Sequence, residues 1–500
     1  MFVDTSNPSI MKHLISFLFI VLGSVSVYSQ NITVKLIDAN TKKPIPYANI
    51  KTGDYSGVIS NEEGYFTLHD VENDTQITIS CLGYKNKNIT VKDIKSLNFS
   101  IALEESINEL NTVYISAEKP NADYIVSKAR QNLSKNYDSK LYKHKVFSRE
   151  TAYMDFNTLN FDIEKTSHVK KQQLESANKS LDSLSKAIIN SKTKHFKDFK
   201  ADLYMDDSLK TKLVVQKATE LIDQKNNLSI EDVQKRAQDV ILKYLDTTLT
   251  YKLKTGLFKI EDSLSLNEKE DKETPENEYN IKNLKEQTTS LLKRAQFYNN
   301  SFASEILDAD LYEYSFQDIS YFNDDLIYVI NYKPRRSKAK YTGKLFIADS
   351  TYAITKVDFK YADGKRGQKV NLKLILGVKY IENMRRGTII YQKDSVNKYQ
   401  PQYIKFEEGR YFYVSRPLKF IENSPEKNKT SFDFTIEGDI LTKQELLLTG
   451  NSKISLDDFK KVAEDKNVPY VTLHSYDASV WKQDQTLEPS TEMKEFKSEE

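Results

Sequence analysis

Apolar and polar residues alternate one by one over much of this chain, and that period of two admits few folds. Between Leu311 and about Leu448, Val357, Phe359 and Tyr361 fall to one side of a strand while Lys356, Asp358 and Lys360 fall to the other. Val370, Leu372, Leu374 and Leu376 oppose Asn371 and Lys373, and Phe432, Phe434 and Ile436 oppose Asp433, Thr435 and Glu437. Successive side chains of a strand point to opposite faces, so these runs predict a sheet with one apolar and one polar face. Turns are expected at Asp349-Ser350, Asp363-Gly-Lys-Arg-Gly367 and Glu408-Gly409, which makes the sheet an antiparallel meander. Such a sheet must curl over something, either a helix or a ligand.

The same period governs residues 31–103. Ile32, Val34 and Leu36 alternate with Thr33 and Lys35, and Ile77, Ile79 and Cys81 alternate with Thr78 and Ser80. Asn61-Glu-Glu-Gly64 supplies a turn, Leu82-Gly-Tyr84 ends a strand at a bend, and Leu97, Phe99, Ile101 and Leu103 read as a closing strand. Short strands broken by Gly, Pro and Asn predict a small all-β sandwich. The order Asn31-Ile-Thr-Val-Lys-Leu-Ile-Asp, Pro44-Ile-Pro-Tyr-Ala-Asn-Ile, Gly57-Val-Ile-Ser-Asn-Glu-Glu-Gly-Tyr-Phe-Thr-Leu and Ile77-Thr-Ile-Ser-Cys-Leu-Gly-Tyr84 resembles the carboxypeptidase regulatory-like domain. That family is a transthyretin-like sandwich of envelope and secreted proteins. The resemblance implies a binding or spacing module with no chemistry of its own.

Ahead of the sandwich, Met11-Lys-His, then Leu14-Ile-Ser-Phe-Leu-Phe-Ile-Val-Leu22 and Gly-Ser-Val-Ser-Val-Tyr-Ser29 read as a secretory signal peptide. The apolar run is short of the roughly 20 residues that a spanning helix needs. Cleavage after Ser29 leaves Gln30 first, and Met1 to Ile10 reads as an upstream start. The one cysteine, Cys81, lies inside the sandwich, so no lipid-acceptor cysteine stands at the mature N-terminus and no intramolecular disulfide can form. The expectation is an exported protein of the periplasm or outer membrane, or one secreted beyond it, and not a lipoprotein. Basic and acidic residues nearly cancel, 73 against 71, which leaves no field to draw nucleic acid.

After a polar connector, a short helix is predicted from Ala122 to Tyr137 and strands from Tyr142 to about Glu164. From Lys170 to about Asn300 the composition turns to Lys, Glu, Asn, Ser and Leu, and the spacing becomes helical. Leu174, Ala177, Leu181, Leu184 and Ile188 form one stripe, and Leu284, Thr288, Leu291, Leu292 and Ala295 form another. A third, Val233, Ala237, Val240, Ile241 and Tyr244, follows a capping box at Ser229-Ile-Glu-Asp232. Asn267 to Asn277 is charged and reads as a mobile loop. Past the meander, Ser455 and Asp458 cap a helix with Leu456, Phe459, Val462 and Ala463 inward, and Glu488 to Glu500 reads as disordered.

The expected class is therefore α+β and multidomain: an N-terminal all-β sandwich, then a curved antiparallel sheet, half-barrel-like, with a helical insertion. The expected layout is 1–29 signal peptide, 30–104 sandwich, 105–137 connector and short helix, 138–166 first strands of the β domain, 167–300 helical insertion, 301–450 curved sheet and 451–500 helix and tail. Ala129-Arg-Gln-Asn-Leu-Ser-Lys-Asn-Tyr137, Ser148-Arg-Glu150, Tyr328-Val-Ile-Asn-Tyr-Lys-Pro334, Tyr341-Thr-Gly-Lys-Leu-Phe-Ile-Ala-Asp349 and Ala353-Ile-Thr-Lys-Val-Asp358 resemble Gram-negative envelope proteins. Those join a carboxypeptidase regulatory-like domain to a sheet similar to lipoprotein-carrier half-barrels.

Chemistry-bearing patterns are sparse. His69-Asp-Val-Glu72 has the spacing of a zinc ligand pair but no third ligand in a fitting motif, and it reads as a turn. No Gly-x-Ser-x-Gly elbow and no phosphate-binding glycine loop occurs. Cys81 reads as a small core residue, and Glu407-Glu408 would point to opposite faces, useless as a glycosidase pair. Pro334-Arg-Arg-Ser-Lys-Ala-Lys340 is the sharpest basic cluster, expected at a solvated hairpin tip. No catalytic residue, metal or cofactor is expected. The expected ligand surface is the concave apolar face, with Val357, Phe359, Tyr361, Leu372 and Leu374 as candidates. The function expected is a non-enzymatic binding or assembly role toward an envelope protein, glycan or lipid, with peripheral association at the outer membrane. Carriage of a lipid or lipoprotein in the concave face is the alternative, and a hydrolase the remotest.

Overall fold

In a computed structural model of the chain, the described residues are 31–53, 57–106, 120–138, 141–167, 170–222, 242–256, 258–266, 278–297, 301–322, 325–394, 396–482 and 486–497, with 239 and 484. The signal peptide, most of the connector, the 229–241 capping box and stripe, and the 267–277 loop lie outside them. The protein is mostly β, with several sheets and none closed into a barrel.

The sandwich forms as its alternation requires. A three-stranded sheet places Ile32–Asp38 between Tyr65–Leu68 and Ser100–Leu103, and it faces a four-stranded sheet of Asn49–Lys51, Gly57–Ile59, Gln76–Ser80 and Lys87–Thr90. Val34, Leu36, Ile50, Phe66, Ile77 and Ile79 are fully buried between them. Gly64 takes a left-handed φ of 78° in the Asn61 turn, where only glycine is unstrained. The closing strand is shorter than its sequence suggests. Thr90 and Asp93 form a capping box that starts a helix, Val91–Ser96, and the strand begins only at Ser100. Leu97 and Phe99 are accordingly exposed, while Ile101 and Leu103 are buried.

The second body is a fourteen-stranded sheet. Its spine is made of long neighbours: Tyr399–Glu422 pairs with Lys429–Lys453, which pairs in turn with Tyr142–Thr166. The meander Tyr312–Phe322, Asp325–Pro334, Tyr341–Ala348, Ile354–Tyr361 and Val378–Lys393 extends it on one side. On the other side come Lys194–Met205 and Thr211–Leu221.

This last hairpin corrects the expected helical insertion. Helices do occupy Lys171–Ser191 and Ile281–Ala295, each on its predicted stripe, but residues 194–221 are strands, and Thr250–Thr255 with Phe258–Ser265 is a further hairpin. Phe196 packs beneath the C-terminal segment and Phe199, Ala201 and Leu203 beneath the helices, so both faces of the strand are buried. A strand covered on both faces loses the alternation by which it would be read.

Other corrections are local. Glu408-Gly409 is no turn: it lies inside the 24-residue strand, where Gly409 leaves room for Asn383 and Met384 at a bulge in the neighbour. The run Val370 to Leu376 leaves the strand at Leu372 and makes one helical turn, Lys373–Leu376, exposed as far as Ile375 and half-buried at Leu376. The basic cluster 334–340 does sit at a solvated hairpin turn. The stretch from Glu488 is ordered as far as Lys497, with Leu487, Glu488 and Met493 buried.

The middle of the sheet is covered on both faces, not one. Ile404, Phe406, Leu446 and Leu448 join a core with Ala122, Ile125, Val126 and Ala129 of the helix Ala122–Gln131 and with Leu284, Leu291 and Leu292 of the helix Ile281–Ala295. Tyr403, Leu447 and Phe147, one residue out of phase, meet Ile59 and Tyr47 of the sandwich together with Trp481 and Leu487. Helices, sheet and sandwich thus form three layers.

Candidate functional site: the seam between sandwich and sheet

Alternation decides what reaches the seam. On the sandwich side of the 399–422 strand stand Tyr403, Lys405 and Glu407, and opposite them on the next strand stand Leu447, Glu445 and Lys443. Lys405 thus faces Glu445 and Glu407 faces Lys443, so charges of opposite sign are adjacent across the ladder. Glu62, from a sandwich turn, enters this lattice and pairs with both Lys405 and Lys443, the latter at 2.6 Å. Burial alone would raise the Glu62 carboxyl, but Lys443 and Lys405 outweigh it and hold it down to about 2. Tyr47 lies 5.1 Å from the Tyr403 ring and accepts a 3.1 Å hydrogen bond from Lys405. The phenol of Tyr403 donates to Glu445 at 2.6 Å. Gln402 donates to Asn49 at 3.2 Å, and the Gly83 amide donates to the Tyr321 carbonyl at 3.1 Å.

The C-terminal segment closes one end of the seam. Asn61 Nδ2 donates to the carbonyls of Glu488 and Pro489 at 3.3 and 3.1 Å, and Arg149 Nη1 donates to the same Glu488 carbonyl at 3.3 Å. Arg149 also grips Asp198 through two charge-assisted hydrogen bonds of 2.9 and 2.7 Å, both residues being buried. The Thr491 amide donates to Glu63, and the Tyr153 phenol donates to Glu492 at 2.6 Å.

The other end of the seam is not filled. A cavity of about 310 Å³ lies there, walled by Ile45, Cys81 and Leu82 of the sandwich and by Phe322, Phe346 and Ile390 of the sheet. Lys356 and the Gln402–Asn49 pair are its polar edge. Burial pushes the Cys81 thiol up to about 11, only partly opposed by Lys356, so it presents a neutral, small apolar wall. The volume falls at the lower end of the range for small-molecule sites, and a boundary between two modules is where such sites concentrate. A second depression, about 800 Å³ and open to solvent, runs between the 281–295 helix and the turn at Leu209. Its cations are partly committed, Lys285 to Glu464 and Arg294 to Glu408.

The five residues expected to line one concave surface are split by the fold. Val357, Phe359 and Tyr361 are buried in the helix-side core, and Phe302 of the short helix Phe302–Glu305 fills the space above them, 4.6 Å from the Phe359 ring and 4.9 Å from Tyr341. Leu372 and Leu374 lie exposed on the separate 369–377 turn. Glu407 and Glu408 do face apart: Glu407 pairs with Lys405 and Arg386, and Glu408 with Arg294, Arg385 and Arg410 on the helix side. His69 sits half-buried at a strand end and Glu72 is exposed. The seam residues Tyr47, Glu62, Lys405 and Lys443 were not singled out by sequence. The opposite-charge ladder was the available signal, but nothing local to it says that a turn some 340 residues upstream supplies the missing carboxylate.

Residues 32–115 match the family model of the CarboxypepD_reg-like domain. Among solved structures, a DUF1329 family protein from Desulfovibrio piger overlaps 63% of this chain and 92% of its own at 8% sequence identity and a TM-score of 0.17. A search of curated proteins gives no match.

Proposed function

We propose that this chain is a non-catalytic, exported binding protein of the cell envelope, whose sandwich and sheet together hold a small, mainly apolar ligand in the cavity at their seam. The observation that carries this reading is the 310 Å³ cavity, walled by apolar side chains from both modules. The CarboxypepD_reg-like match over 32–115 supports a binding role for the sandwich. In this reading the main sheet is a curved, half-barrel-like scaffold whose hollow is taken up by the protein's own Phe302 and helices, which leaves little room for lipid carriage there. The acids of the seam, the buried Glu407 and Glu445 and the more exposed Glu62, are committed to lysine or arginine partners and serve as clamps.

The test is binding of a fatty acid such as decanoate to the full mature chain, followed through the fluorescence of Trp481, which packs in the same seam. Saturable binding is expected, together with extra mass on protein isolated from envelope fractions and examined by native mass spectrometry. Ile390→Trp, which fills the cavity from the sheet side, should remove both while the melting temperature holds. An apo mass together with no saturable binding by the wild-type chain would overturn the proposal.

A further inference from the structure

Among the described residues, six of the twelve exposed large apolar side chains lie on two hairpins that meet at one edge of the sheet. On the 369–377 turn Leu374 is 101% and Ile375 72% exposed, and Val370 and Leu372 beside them are also exposed. The hairpin Thr250–Thr255 and Phe258–Ser265 exposes Phe258 and Ile260. Both hairpins pair with the same edge of the 399–422 strand, Val378 opposite Val414 and Lys254 opposite Lys419, so their turns approach each other end to end. Gly377 lies against Ser415, and Arg416 donates to Thr255 at 3.4 Å, which fixes how near the two turns come. Val370 stands opposite Tyr380, and Tyr380 opposite Phe412. Phe412 belongs to the apolar face that the 171–191 helix covers with Leu184 and Ile188. The exposed stripe therefore continues a packed apolar face past the end of its cover.

Charge says what completes the cover. Between Asp363 and Glu382 the ionisable side chains are Lys365, Arg366, Lys369, Lys373 and Lys379 together with Tyr380, without an acid, in a chain whose charges otherwise nearly cancel. Lys373 and Lys379 lie over the rings of Tyr413 and Tyr411, at 3.8 and 4.7 Å. On the neighbouring hairpin Asp262 is taken up by Lys252 and Lys259, while Glu261 is exposed. We propose that this edge of the sheet docks on an anionic lipid surface, the turn Lys373–Leu376 dipping Leu374 and Ile375 into the interface while Lys369, Lys373 and Lys379 meet the headgroups. Apolar tips ringed by lysines are what a negatively charged bilayer binds, and long lysine stems keep their charge at headgroup level. A second copy of this edge would instead bring like charges together. The contact is peripheral: among the described residues no helix is long and apolar enough to cross a membrane.

The experiment is co-sedimentation of the full mature chain with vesicles of phosphatidylcholine alone or of an equimolar mixture with phosphatidylglycerol. Binding to the mixed vesicles, weakened by salt, is expected. Leu374→Asp with Ile375→Asp should reduce it about tenfold or more, and Lys369→Glu with Lys373→Glu should do the same. Because these side chains are exposed, each variant should keep the wild-type melting temperature, and Lys338→Glu in the other basic turn should bind as the wild type does. Equal retention by mixed vesicles of the wild type and both double variants, or no retention of the wild type, would overturn the proposal. So would loss through the variants of self-association in sedimentation without lipid, which would assign the edge to a second copy.

Discussion

His144 and Arg149 lie five residues apart on one strand, and they show how burial treats two ionisable groups differently. Arg149 keeps its charge inside the protein because Asp198 offsets the loss of water with a two-pronged ion pair. His144 has only the neutral Asn451 at 2.6 Å and the stacked ring of Tyr142, and its Nε2 has no partner among the described residues. Burial therefore lowers its pKa to about 4, against a small opposing effect of Asn451. The folded protein holds this histidine neutral where the unfolded chain would protonate it, so stability falls as pH drops below about 6.5 and this contribution levels off near 4. The loss amounts to about 3 kcal/mol. Urea unfolding at pH 7 and pH 5 should show it in the wild type and much less of it in His144→Gln; equal pH dependence in the two would contradict it. Further loss below about 4.5 is expected from Glu62, whose carboxylate must be protonated against Lys405 and Lys443. Nothing in Tyr-Lys-His-Lys distinguishes His144 from the less buried Lys143 and Lys145, because its burial comes from tertiary packing.

Among the elements, those carrying a one-sided stripe were legible and those buried on two sides were not. The 171–191 and 281–295 helices keep their predicted stripes, and Asn280 caps the second by accepting from the Lys282 amide at 2.9 Å. The 194–221 hairpin is lost within the expected helical insertion because both of its faces meet protein. The short helix Phe302–Glu305 carries no periodic signal at all, yet its Phe302 fills the face on which a ligand was expected, touching Tyr341, Phe359 and Phe406. Phe302→Ala should leave a void against those rings and cost about 2–3 kcal/mol in denaturant unfolding. Unchanged stability would mean that the ring does not act as the plug.

At the scale of the molecule the C-terminal segment ties the layers together. It hydrogen-bonds to Asn61 and Glu63 of the sandwich and to Arg149 and Tyr153 of the sheet, and it buries Leu487 and Met493. Ending the chain at residue 485 should cost about 3–5 kcal/mol from those two side chains and their neighbours. Calorimetry should then show the sandwich melting apart from the sheet; a single transition at the wild-type midpoint would contradict this. The segment reads as disordered because Glu488 to Glu500 is polar and carries no period, and Met493 is buried with Phe196 and Leu221, more than 270 positions upstream, as well as with nearer residues. By itself the sequence determined what is periodic and local: the sandwich, the one-faced strands, the capped helices and the balance of charge. Only the tertiary structure decided which faces stay open, because covering a face depends on contacts between segments far apart in the chain. It put Phe302 where a ligand was expected, brought Glu62 between Lys405 and Lys443, and left a cavity at the seam and a lysine-rimmed apolar edge uncovered.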